Sequence, residues 1–240
     1  MILAAGLGTR MKELTESVPK PLLEINNIPL IQYNVNLFSY YGIKNITINS
    51  HYKSLLLENY INSLKNNINF CLKHEETLLD TGGGVKNARE CLNSEYFFLI
   101  NSDIITDYPL SDLFKIYIKE QPIAIMVVKD PQPDYSSLQI KNGKLIGFGN
   151  KIDNTQTEPA MFTGIHLLSK RVFDYLPKGK SSIISDFYIK ALEKGEKILT
   201  IKYDGLWLDL GTREKYLKIK DEIENRQILL PDYLSEGRIS

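Results

Sequence analysis

Cysteine is scarce. Cys71 and Cys91 are the only two, and neither belongs to a CxxC pair. Two buried free thiols are expected, in preference to a disulfide or a metal site. The three histidines, His51, His74 and His166, do not cluster, so neither a zinc site nor histidine catalysis is expected. Net charge is also missing, because 29 basic and 29 acidic residues cancel. No overall field draws nucleic acid or an anionic membrane, so any anion site must be local. No stretch approaches the roughly 18 apolar residues of a membrane span. The apolar opening Met1–Gly6 is too short for a signal peptide, and Arg10 and Lys12 follow it instead of preceding it. The expected partners are small molecules, with no nucleic acid and no membrane. The expected location is the cytoplasm, and a homo-oligomer is left open.

The 240 residues are 43% hydrophobic and 24% charged, which suits a globular chain with a large core. Short apolar runs alternate with helical patterns. Strands are expected at Met1–Ala5, Ile46–Asn49, Asn69–Leu72, Tyr96–Asn101, Ile123–Val128, Thr163–Leu168 and Lys197–Ile201. Helices are expected at Pro29–Tyr41 (capped by Asn27), Lys53–Leu64, Gly84–Cys91, Leu110–Glu120, Ile184–Glu193 and Thr212–Arg226. Strands separated by helices imply an α/β fold: three layers, Rossmann-like, with a mostly parallel mixed sheet. Asn142-Gly143 between two strand patterns signals a hairpin inside a small antiparallel insertion at 131–162. One domain is expected over 1–226, followed by a tail over 227–240.

The first strand runs into Gly6-Leu7-Gly8-Thr9-Arg10. Glycines there let backbone N–H groups approach phosphate oxygens, and Arg10 adds a cationic fork. Lys20 stands between Pro19 and Pro21, a stiff segment that presents the lysine. A tight turn is the plain alternative. A dinucleotide fingerprint fails because Met11 holds the place of the third glycine, and no Gly-Lys-Ser/Thr follows for a Walker loop. Asp80-Thr81-Gly82-Gly83-Gly84 forms a second glycine run, read as a helix start with free N–H donors or as a structural turn. Asp103 follows an apolar strand, where an open α/β sheet gathers its ligands and where Mg²⁺ finds a carboxylate. Asp209 lies in Trp207-Leu208-Asp209-Leu210-Gly211-Thr212. Each aspartate alone also reads as a cap.

Leu3-Ala4-Ala5-Gly6-x-Gly8-Thr9-Arg10-Met11 followed by Pro19-Lys20-Pro21-Leu22 resembles the signature of the sugar-1-phosphate nucleotidyltransferases. Within that group the chain most resembles the short bacterial N-acetylmuramate 1-phosphate uridylyltransferases and the mannose-1-phosphate guanylyltransferases. The resemblance implies a nucleotide-diphospho-sugar transferase fold and Mg²⁺-dependent transfer of a nucleoside monophosphate from a nucleoside triphosphate to a sugar 1-phosphate. It places the nucleotide on Leu3, Ala4, Ala5, Gly6, Gly8, Thr9, Arg10, Thr81, Gly82 and Gly83. Catalysis would fall to Arg10, Lys20, Asp103 and Asp209, the last two holding Mg²⁺. The sugar would meet Asn150, Lys151, Thr163, Gly164 and Trp207. Leu78 stands where uridylyl- and thymidylyl-transferring relatives often carry glutamine, and Phe148-Gly149-Asn150-Lys151-Ile152 departs from their F-x-E-K-P. The expected substrates are UTP with N-acetylmuramate 1-phosphate, with GTP and mannose 1-phosphate or a related hexose or heptose 1-phosphate as the alternative. A non-catalytic nucleotide-sugar sensor is the reading of another class.

Overall fold

The computed structural model describes residues 1–64, 67–149 and 157–235, which fall into two compact units. The first comprises Met1–Leu78, Ile100–Tyr108 and the chain from Gly205 on; the second comprises Leu79–Leu99 and Pro109–Asp204. No helix among the described residues is long and apolar enough to cross a membrane.

In the first unit Ile2–Leu3 lies between Asn45–Ser50 and the end of Tyr96–Asn101, parallel to both. Asn69–His74 extends the parallel order beyond Asn45–Ser50. Five of the six residues Asn45–Ser50 are buried, as expected of an inner parallel strand covered on both faces. The helix Leu30–Tyr40 buries all but its last two residues. It ends in a Schellman arrangement: Gly42 N donates to Ser39 O and Ile43 N to Phe38 O, with Gly42 at φ 71°. The expected Asn27 cap is not found. Asn26 and Asn27, both at positive φ, instead form the two-residue turn of a small hairpin, Glu24–Ile25 with Ile28–Pro29. Asparagine tolerates the left-handed region that such turns require, so it marked a turn and not a helix start. Part of the expected tail is packed. Asp232–Ser235 is a short helix with Leu234 buried, Asn36 Nδ2 donates to Leu234 O, and Tyr233 stacks on Tyr40 at 4.0 Å.

In the second unit Ala124–Lys129 runs between Glu158–Ser169, antiparallel, and Ile198–Lys202, parallel. Lys144–Phe148 and Ser137–Lys141 continue the order, and Ser137–Lys141 pairs back onto the first half of Glu158–Ser169. The antiparallel part therefore reaches beyond the expected insertion, within the mixed sheet that was expected. Asn142 and Gly143, at φ 51° and 69°, make the anticipated hairpin turn. His166 is fully buried beside Tyr188, its Nδ1 2.6 Å from the phenol oxygen. Burial drives its pKa down to about 3, as expected of a neutral core residue. Cys71 and Cys91, expected as free thiols, are both disulfide-bonded; spacing along the chain carries no information on distance in space.

Candidate active site

The carboxyl ends of the parallel strands in the first unit carry the polar residues of the candidate site. The chain leaves the sheet after Leu3. Ala4 and Ala5 are buried, while Gly6, Leu7, Thr9 and Arg10 are exposed. Gly8 adopts φ 67°, ψ 20°, and a Cβ there would lie 3.1 Å from Thr15 Cγ2 and 3.3 Å from Lys20 Cβ. The left-handed turn and the lack of space both call for glycine. Its carbonyl accepts from Met11 N at 2.8 Å, opening the 3-10 turn Thr9–Thr15.

Lys20 opens the next 3-10 turn, Lys20–Leu22, between its two prolines. Its ammonium group is buried and pairs with Asp103 Oδ2. The lysine expected to be presented is instead buried, and its partner in the structure is a carboxylate.

Asp103 sits between Tyr96–Asn101 and a short strand, Ile104–Thr106, which pairs antiparallel with Trp207–Asp209. Asp209 is the register partner of Ile104, and Leu210 N donates to Asp103 O at 2.9 Å. Asp209 thus ends the ladder at the residue after Asp103, and the backbone of Asp103 is tied to the residue after Asp209. Sequence patterning foresaw neither strand, because at three residues each they are too short to show a period. Lys215 Nζ lies 3.3 Å from Asp209 Oδ2, and Thr212 accepts from Lys215 N as an N-cap. A Cβ on Gly211 would approach Asp209 Oδ1 to 2.9 Å. Trp207 is half-buried opposite Thr106.

In the second unit the glycine run lies inside the helix Asp80–Asn87, which begins four residues before the expected helix start. Gly82 N and Gly83 N both donate to Ser181 O, and Thr81 Oγ1 accepts from Ile183 N. The N–H groups expected to be free for a ligand are taken. Packing explains the glycines: a Cβ on Gly83 would come within 2.4 Å of Gly179 O, and one on Gly82 within 2.9 Å of Ser181 O. Gly83→Ala should therefore cost about 1–3 kcal/mol of stability, as overpacking does, because a backbone oxygen cannot swing aside. Chemical denaturation would read this; an unchanged midpoint and slope would refute it.

Thr163 is buried, its hydroxyl donating to Val127 O at 2.7 Å. Gly164, at φ 81°, sits in an irregularity between Phe162 and His166 where Glu158–Ser169 shifts register. Such bulges bend a strand and re-aim its side chains. A pocket of about 740 Å³ opens beside it, walled by Phe148 and Phe162 and edged by Tyr135, Ser136 and Ser137. Asn150 and Lys151 lie outside the described residues.

Two polar residues of the first unit escaped the sequence reading. Asn49 Oδ1 accepts from Ala4 N at 2.8 Å, and Asn49 Nδ2 donates to Glu75 Oε1 at 2.8 Å. Both stand at the carboxyl ends of parallel strands, the position that singled out Asp103. Ala4 N–H is consequently committed within the protein.

The fold and these strand-end residues define an α/β protein of the nucleotide-diphospho-sugar transferase type. Residues 1–226 match the family model Nucleotidyl transferase, and the chain belongs to that family. It is 31% identical over 232 residues to the mannose-1-phosphate guanyltransferase of Yarrowia lipolytica, covering 90% of this chain and 61% of that protein. It is 29% identical to mannose-1-phosphate guanyltransferase beta-B of Xenopus laevis, covering 90% of this chain and 62% of that protein. The chain thus spans about three-fifths of the length of these relatives. Among solved structures, HddC from Yersinia pseudotuberculosis complexed with GMP-PN superposes with a TM-score of 0.77 at 24% identity, over 92% of this chain and 97% of that one.

Proposed function

We propose that this chain transfers a nucleoside monophosphate from a nucleoside triphosphate to a sugar 1-phosphate and releases pyrophosphate. The observation that carries this reading is Asp103 and Asp209 at the same end of one short ladder, linked through Leu210 N to Asp103 O, with Lys20 joined to Asp103 next to the Gly8 turn. A phosphate oxygen of the sugar 1-phosphate attacks the α-phosphorus, and the bond to the bridging oxygen breaks so that pyrophosphate leaves. The attacking oxygen is already ionised at neutral pH, so no general base is needed. Alignment and charge neutralisation remain as the sources of rate. The exposed turn Gly8–Arg10 offers N–H groups and a guanidinium to the leaving phosphates. Lys20 offsets charge beside the α-phosphate.

The donor set suits Mg²⁺, a hard cation that takes one or two carboxylates together with phosphate oxygens. Asp103 and Asp209 would hold it, and when bound it would supply charge neutralisation at the phosphates. The aromatic walls and hydroxyl edge of the pocket at Phe148 and Phe162 suit a neutral sugar ring.

For the base we favour guanine over uracil. The Yarrowia lipolytica and Xenopus laevis relatives are guanyltransferases of mannose 1-phosphate, which supports the alternative above over UTP with N-acetylmuramate 1-phosphate. A pyrophosphate-release matrix of the four triphosphates against mannose, glucose and N-acetylmuramate 1-phosphates tests this. GTP with mannose 1-phosphate should be the fastest pair. Faster turnover of UTP with N-acetylmuramate 1-phosphate would reverse the choice. No release from any pair, with nucleotide sugars still bound, would make the chain a sensor.

A further inference from the structure

Among the described residues, Lys20 and Glu75 are the lysine, arginine and carboxylate residues that are buried. Lys20 has Asp103. The reaction scheme has no use for Glu75, which is only 1% exposed. An ionised carboxylate so deeply buried is costly unless it is bonded. Its main chain is fixed at the end of Asn69–His74: Glu75 N donates to Ser50 O at 2.8 Å, and His51 Nδ1 lies 2.7 Å from Glu75 O. Its Oε1 receives Asn49 Nδ2.

An amide side chain has a donor end and an acceptor end, whereas a carboxylate only accepts. Glu75 can therefore bind only the NH₂ end of Asn49, which turns Asn49 Oδ1 toward Ala4 N–H. That N–H is the next donor after the parallel rungs Ile2↔Ile48 and Leu3↔Asn49. On the other side the ladder continues, with Ser102 N donating to Leu3 O at 3.0 Å. The side chain of Asn49 thus ends the pairing on its own side at Ala4, where the chain turns toward Gly6 and Gly8.

We propose that Glu75, acting through Asn49, is a positioning residue that sets the path of the Ala4–Arg10 loop and thereby its affinity for the triphosphate. The nucleotide half of this inference rests on the function proposed above; the loop half does not. Two measurements separate them: hydrogen–deuterium exchange of a peptide covering Ile2–Met11 in the ligand-free protein, and equilibrium binding of GTP.

Asn49→Asp keeps an acceptor for Ala4 N–H but sets a second carboxylate against Glu75. Exchange in the peptide should rise, and GTP affinity should fall roughly tenfold, the scale of one spoiled buried hydrogen bond. Asn49→Asp combined with Glu75→Gln reverses the polarity of the lower bond, since the new amide can donate to the new carboxylate. The pair should recover most of the protection and affinity. Glu75→Met alone is close in size but removes the acceptor, and it covers the case in which Asn49→Asp does not fold; it should raise exchange and weaken GTP binding roughly tenfold, the scale of one lost buried bond. Unchanged exchange in Glu75→Met would overturn the proposal, as would a double variant no better than Asn49→Asp. Faster exchange in the variants of a protein that binds no triphosphate would uphold the loop role and sink the functional reading instead.

Discussion

Asp103→Asn and Asp209→Asn should each lower turnover by about 10³-fold or more, because each removes a preorganised charge from a site whose work is electrostatic. Both are isosteric and leave the backbone bonds of the ladder in place, including Leu210 N to Asp103 O. The losses should not simply add, since residues acting as a unit are strongly non-additive. The two variants should differ in stability. Lys20 is only 10% exposed in its side chain, so Asp103→Asn leaves a buried ammonium without its carboxylate. Lys215 is 31% exposed and can turn to water when Asp209 is neutralised. Asp103→Asn should therefore melt measurably lower than the parent, and Asp209→Asn close to it. Pyrophosphate release at saturating Mg²⁺, with thermal melts alongside, gives both readings. If both variants turn over within tenfold of the parent while folded, these aspartates do not form the catalytic centre.

The first unit could be read from the sequence in outline because parallel strands and helices announce themselves through apolar runs of different period. Ile46 and Ile48, and the helix from Leu30 to Tyr40, fell where that pattern put them. The strand-end rule put Asp103 just past the strand Tyr96–Asn101, where it lies. Tertiary chemistry stayed hidden. Three-residue strands carry no period, so the ladder that pairs Asp209 with the residue after Asp103 was invisible. The three glycines at Gly82–Gly84 look the same whether they make room for a ligand or for another stretch of backbone, and only the approach of Gly179 and Ser181 decides. Asn49 and Glu75 resemble ordinary surface polar residues until burial shows that they must be bonded to each other.

Lys20→Ala should lower turnover by about 10²–10³-fold, comparable to losing one preorganised donor, while triphosphate affinity falls much less. Lys20 is held between Pro19, at ψ 150°, and Pro21, so its backbone has little freedom. Its Cβ borders the Gly8 turn, and its ammonium sits on Asp103. The lysine thus joins the loop that offers donors to phosphate with the carboxylate at the strand end. Its charge matters most when negative charge moves from the bond being broken to the leaving oxygen, so the deficit belongs in turnover more than in ground-state binding. The ion pair adds a second expectation. Removing the ammonium leaves Asp103, whose side chain is 20% exposed, short of a counter-charge, and the melting temperature should fall by a few degrees, roughly the effect of 1 kcal/mol in a domain of this size. Lys20→Met removes the charge with less loss of packing and should match alanine in rate but melt higher. Lys20→Arg should recover only part of the rate. A planar fork does not replace a point charge. Steady-state rates measured beside equilibrium nucleotide binding decide the assignment. Weak binding with normal turnover at saturation would make Lys20 a tether for the nucleotide, and a lowered melting temperature with neither change would leave it a purely structural partner of Asp103.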